Sequence, residues 1–123
     1  MFFEEITESI IAAAMKVHRK LGPGLLENVY ETCLLHELKK QNIEAKNQVT
    51  LPVVYDNIKM DLGYRLDLLV KDKVIVELKS VEKILPIHEA QLLSYLKLSR
   101  KKVGLLVNFN VIQLRNGIKR FVN

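Results

Sequence analysis

Apolar positions recur at helical spacing from Glu4 to Leu21, as Ile6, Ile10, Ala13, Ala14, Val17 and Leu21, until Gly22-Pro23-Gly24 ends the run. His18, near the end of that helix, is expected at the surface or at the cap. A second helix starts after the glycine break and runs to about Gln41, with Leu25, Val29, Cys33, Leu34 and Leu38 as its apolar stripe. The period then drops to two. Ile43 to Leu51, Val53 to Tyr55 and Ile58 to Leu62 read as strands, punctuated by Pro52 and the turn signal Asp56-Asn57, and Gly63 marks a bend. Two denser runs follow, Tyr64 to Val70 and Val74 to Lys79, flanking Lys71-Asp72-Lys73 as a hairpin would. A third helix spans about Ile87 to Leu98, with Leu92, Leu93, Leu96 and Leu98 apolar. The buried run from Lys102 to Phe109 follows that helix and is expected to add a strand parallel to the central ones. Val111 to Leu114 and Ile118 to Val122, around Asn116-Gly117, predict a last hairpin. These elements make a mixed sheet with helices on both sides, an α/β (α+β) protein of one domain.

The central hairpin carries the candidate chemistry. With Lys71 to Lys73 as the loop, Asp67 faces Glu77 and Arg65 faces Lys79. Side chains alternate along a strand, so Glu77 and Lys79 share a face with Asp67, and Leu66, Leu68, Val70, Val74, Val76 and Leu78 take the other. Like charges placed opposite each other destabilise a sheet. A divalent cation offers a reason for the pair, because Mg²⁺ takes oxygen ligands, commonly one or two carboxylates plus substrate phosphate. Lys79 is then placed to position or deprotonate an attacking water. The plainer reading is an amphipathic strand whose charges are only solvated.

Other polar residues have two readings each. Gly24, Glu27 and Tyr30 fall close to one side of the second helix, and Glu27 either answers the helix dipole or points at the hairpin carboxylates. His88, Gln91 and Tyr95 share a side of the third helix at spacings of three and four. Gln91 and Tyr95 either hydrogen-bond a phosphate or the lysine, or are ordinary helix surface.

Composition and charge narrow the setting. The chain has 123 residues, 49% hydrophobic and 27% charged, as in an ordinary globular domain. No apolar run nears the ~18–20 residues that span a bilayer, so no membrane partner is expected. Met1-Phe2-Phe3-Glu4-Glu5 is acidic where a secretory signal is basic, and the lone Cys33 reads as core in a reducing, cytoplasmic setting. The net charge is +5, and from Lys97 to Asn123 the chain holds Lys97, Arg100, Lys101, Lys102, Arg115, Lys119 and Arg120 without one acid. Such a segment is the footprint of a polyanion partner or a face kept charged for solubility.

The order of elements, with acid, acid and lysine on the central hairpin, resembles the PD-(D/E)XK nuclease superfamily. More narrowly, Gly24-Leu25-Leu26-Glu27-Asn28-Val29-Tyr30 is similar to the signature of its GxxExxY family, as are Val17 to Gly24 and Gly104 to Phe109. The resemblance covers nearly the whole chain. It implies a restriction-endonuclease-like α-β-β-β-α-β core. It further implies Asp67, Glu77 and Glu27 as ligands of Mg²⁺ or Mn²⁺, Lys79 as the catalytic lysine, and Gln91 and Tyr95 as the QxxxY element. Leu66 departs from the pattern, which has proline before the first aspartate. The expected activity is metal-dependent hydrolysis of DNA, with Tyr95, Lys97, Arg100, Lys101 and Lys102 contacting nucleic acid. No further cofactor is expected, and cutting both strands of a duplex would require a dimer or a partner. The rivals are a silent module that binds nucleic acid or protein on the same fold, and an interaction protein whose hairpin charges are surface decoration.

Overall fold

The structure, a computed structural model, describes residues 2–123. Its elements are α1 (Phe3–Leu21), α2 (Glu27–Lys40), β1 (Ala45–Thr50), β2 (Val53–Tyr55), β3 (Ile58–Met60), β4 (Arg65–Val70), β5 (Val74–Lys79), α3 (Pro86–Ser99), β6 (Val103–Asn108) and β7 (Ile118–Val122). Five strands form one sheet in the order β1-β4-β5-β6-β7, and β2 pairs only with β3. Neighbours are antiparallel except β5 and β6, which run parallel from Val74–Val103 to Lys79–Asn108. That one parallel pair is what α3 makes geometrically available, as a crossover between two strands of the same direction. The fold is restriction-endonuclease-like, a mixed sheet flanked by helices, as the pattern predicts. Among the described residues no helix is long and apolar enough to cross a membrane.

Each face of the sheet has its own core. Ile6, Ile10, Leu34 and Leu38 of α1 and α2 pack on Leu68, Val76, Leu78, Leu105 and Val107. On the other face, Leu92 and Leu96 of α3 pack on Leu69, Ile75 and Leu106. Full burial of one such leucine is worth about 1.5–3 kcal/mol. The two hairpin turns place Asp56-Asn57 and Lys71-Asp72 at positive φ, the pairwise pattern of a turn whose twist matches its strands.

Several expectations fail for physical reasons. The buried face of α2 is Tyr30, Leu34, Glu37 and Leu38, so Leu25 and Val29 stand at the surface and Cys33 is only partly covered. Leu21 is likewise exposed at the end of α1. His18 is buried instead, its Nε2 2.8 Å from the Val111 carbonyl oxygen and its ring against Phe109. Val111 to Leu114 forms no strand, and Asn116-Gly117 closes no hairpin. Leu114–Gly117 is a 3-10 turn that presses Gly117 onto the end of β6, where a Cβ would meet the Asn108 carbonyl oxygen at 2.2 Å. β7 therefore pairs with β6 directly, Val122 facing Val103. On α3, Tyr95 is buried where Leu93 was expected. Leu66 packs with Leu51 and Leu69 on the α3 face, out of step with Leu68 and Val70.

Candidate active site

The β4–β5 ladder runs Val70–Val74, Leu69–Ile75 and Leu68–Val76, and stops there. The next facing residues are Asp67 and Glu77, whose carboxylates take the place of the missing backbone bonds. The Asp67 N–H donates to Glu77 Oε1 at 3.1 Å, and the Leu78 N–H donates to Asp67 Oδ2 at 2.8 Å. The other flank of Asp67 is open as well. β1 pairs Asn47 with Leu68 and Val49 with Leu66 but skips Gln48, which sits at φ 51°. A non-glycine residue in that region carries about 1–3 kcal/mol of strain. Glu31 on α2 helps to hold it, accepting bonds from Gln48 Nε2 at 2.6 Å and Asn47 Nδ2 at 3.3 Å. Asp67 thus stands outside both ladders, in the gap where the strands part. The expected facing of Arg65 and Lys79 is lost with the ladder: Arg65 pairs with Thr50 and turns its guanidinium to Asp61 at 3.3 Å.

The electrostatics follow from this gap. Glu77 is only 4% exposed. Burial, and then the charge of Asp67, push its carboxyl up from 4.5 to about 8, against smaller opposing pulls from the Asp67 N–H and, less, from Lys79. Burial raises the Tyr95 phenol too, helped by Glu77, Tyr64 and Asp67, so it stays a proton donor. Lys79 Nζ donates to Gln91 Oε1 at 3.4 Å, so α3 tethers the lysine two residues beyond Glu77.

Asn108 holds the backbone just past the lysine, and sequence reasoning gave it no role. Its Oδ1 accepts the Val81 N–H at 3.1 Å, its Nδ2 donates to the Val81 carbonyl at 2.9 Å, and Phe109 N–H reaches the Lys79 carbonyl at 2.9 Å. The available signal was a lone amide ending the apolar run from Val103 to Val107. Between the lysine and Val81, Ser80 Oγ donates to the Leu25 carbonyl at 2.5 Å, which seats the start of α2 against the end of β5.

Tyr30, Gly24 and Glu27 play unequal parts. Tyr30 is buried, stacked on Phe109 at 4.3 Å between centroids, and its hydroxyl donates to the Gly22 carbonyl at 2.6 Å while accepting the Leu25 N–H at 3.1 Å. It shapes the loop and touches no carboxylate. Glu27 is exposed at the first position of α2, at the head of the Tyr30–Leu34–Leu38 side. Among the described residues no three of His, Cys, Asp and Glu are gathered for a metal.

A cleft of about 550 Å³ opens beside the carboxylates, lined by Val53, Tyr64, Lys79, Ile87, His88, Gln91, Ser94, Tyr95 and Leu98. The basic segment lies elsewhere. Arg100, Lys101 and Lys102 follow α3 at the end of the sheet where the Lys71-Asp72 turn sits, and Lys101 pairs with Asp72 at 3.2 Å. Arg100, just past the end of α3, lies nine residue steps from Gln91, about 13 Å along the axis. Lys119 is held by Glu89 at 2.8 Å.

A mixed sheet between helix layers, with an acidic pair and a lysine where its central strands part, defines a restriction-endonuclease-like protein. Residues 4–121 match the family model of the PD-(D/E)XK nuclease superfamily, and the chain belongs to that superfamily. No curated protein and no solved structure matches the chain. Nucleases of this superfamily generally use divalent metals. The residues fit such an ion: two carboxylates on facing residues, each accepting a backbone N–H of the opposite strand and one of them buried, form an all-oxygen donor set whose mutual repulsion a hard cation relieves.

Proposed function

We propose that this chain, as one domain over residues 1–123, is a nuclease of the GxxExxY family that hydrolyses DNA phosphodiester bonds with Mg²⁺ or Mn²⁺. The observation that carries the reading is the Asp67–Glu77 contact, with Lys79 two residues on and tethered by Gln91. Such a pair costs stability in a metal-free protein, and a binding module has no use for it. Asp67 and Glu77 would hold the cation, which when bound polarises the scissile phosphate and lowers the pKa of a water. Lys79 orients the attacking water and stabilises the negative charge that develops on the phosphate. Gln91 fixes where the ammonium points. Tyr95, kept protonated by its surroundings, offers a donor beside the carboxylates. Lys97, Arg100 and Lys102 hold the backbone several nucleotides away without reading bases. Cutting both strands of a duplex then needs a second copy.

The test is incubation with linear, circular and single-stranded DNA in Mg²⁺, Mn²⁺ or chelator, for the natural chain, Asp67→Asn and Lys79→Ala. Metal-dependent cleavage by the natural chain alone is expected. Cleavage that survives in Asp67→Asn, or none by the natural chain on any of these substrates, refutes the proposal.

A further inference from the structure

The cleft beside Lys79 has a chemistry that backbone phosphates do not explain. Lys79 is the only lysine or arginine that lines it, and its walls are mostly apolar. Tyr64 and Tyr95, both in its lining, touch edge to face with centroids 5.9 Å apart. Tyr64 is 46% exposed and Ile87 is 67% exposed, so both present apolar surface to an incoming ligand. A clamp for a duplex backbone is lined by cations. An apolar cleft with aromatic residues and a few amide and hydroxyl groups in its lining instead suits a nucleobase, whose faces stack and whose edge takes hydrogen bonds. Gln91 and Ser94 supply such groups.

The cleft lies next to the carboxylates, because Lys79, two residues beyond Glu77, lines it together with its partner Gln91. We infer that this cleft receives the base of an unpaired nucleotide next to the scissile phosphate, with Tyr64 as the stacking residue, so that the substrate is single-stranded nucleic acid or a duplex with an unpaired end. The inference rests on the nuclease reading of Asp67, Glu77 and Lys79, and it adds which form of substrate reaches them. A base inside an intact duplex is stacked on both faces and cannot enter. An unpaired base enters without the few kcal/mol that unstacking requires.

Binding in chelator, read by fluorescence anisotropy, separates this inference from cleavage itself. The probes are a labelled single-stranded 12-mer, the same strand with an abasic linker at each position in turn, and a fully paired duplex of that sequence closed at both ends by non-nucleotide linkers. The natural chain should bind the intact strand roughly 5- to 150-fold more tightly than the closed duplex, the span that one stacked base supplies. One abasic position should lose that advantage. Tyr64→Phe keeps the preference for the intact strand, and Tyr64→Ala abolishes it; a thermal melt of each variant confirms the fold. Equal affinity for strand and closed duplex, or an undiminished preference in a folded Tyr64→Ala, overturns the inference. Because no metal is present, failure here leaves the cleavage test unaffected, and failure of cleavage leaves this result standing.

Discussion

Glu77→Gln should make the metal-free protein more stable, although it removes a residue from the centre of the site. The natural side chain is buried against Asp67, and its carboxyl is raised from 4.5 to about 8. In the unfolded chain it ionises near the ordinary value. Below about pH 4.5 the proton is bound in both states, and Glu77 exerts no pH-dependent penalty. Between pH 4.5 and 8 the unfolded state gives up the proton that the folded state keeps, so stability falls as pH rises; above 8 the loss is complete. At 1.36 kcal/mol per unit, the full shift is worth about 5 kcal/mol. Glutamine keeps an oxygen to accept the Asp67 N–H and carries no charge, so it escapes this loss. Urea unfolding of both proteins in chelator, from pH 4.5 to 9, reads the difference. The variant should match the natural chain at pH 4.5 and exceed it by about 2–5 kcal/mol at pH 9, a midpoint shift of about 1 M or more. Taking the difference between the two proteins removes groups that titrate the other way, such as Glu37, whose carboxyl Lys16 and Lys40 hold low. Saturating Mg²⁺ should then stabilise the natural chain alone. A gap between the two proteins that does not widen with pH would refute the reasoning.

Four further outcomes follow. Lys79→Ala should lose ~10²–10⁴-fold in cleavage yet keep its stabilisation by Mg²⁺; a variant that lost both would make the lysine a structural partner of the carboxylates. Asn108→Ala should cost ~1–3 kcal/mol in urea unfolding, because half-buried Val81 would lose two bonds to a buried amide, and a value near zero would remove it as the clamp behind Lys79. Reversing Arg100 and Lys102 to glutamate should weaken DNA binding alike for all sequences and flatten the salt slope by about 2; an unchanged slope would make that end of α3 a solubilising face. Glu27→Gln should cost ~0.3–1 kcal/mol, the worth of a carboxylate at a helix start, and leave Mg²⁺ stabilisation intact; loss of that stabilisation would return Glu27 to the metal.

The hairpin was legible because strand alternation has one period and no alternative. Asp67 faces Glu77 as the count from Lys71-Asp72-Lys73 requires, and the parallel β6 follows from its helix crossover. What the alternation missed was local. The carboxylates displace the ladder that the count assumed, so Arg65 never faces Lys79, and Leu66 leaves its face beside the skipped Gln48. Helix faces were harder. On α2 the run Leu25, Val29, Cys33 competes with Tyr30, Leu34, Leu38, and spacing alone cannot rank two stripes on one helix. Docking ranks them, because Tyr30 meets Phe109, a residue 79 positions away. His18 was misplaced for the same reason, its partner being Val111. The apolar run at Val111 to Leu114 reads as a strand until Gly117 is seen pressed against Asn108.

The hydroxyl of Tyr30, bonded at once to Gly22 and Leu25, has a bearing on how chains of this kind are recognised. The spacing of Gly24, Glu27 and Tyr30 is the most conspicuous short signature in the sequence, yet two of its three members shape a loop. A search keyed to that signature selects scaffolds, and a descendant without Asp67 or Lys79 would pass it unaltered. An engineer holds the same freedom in reverse. The hairpin carboxylates and lysine can be replaced while the loop latch keeps the frame.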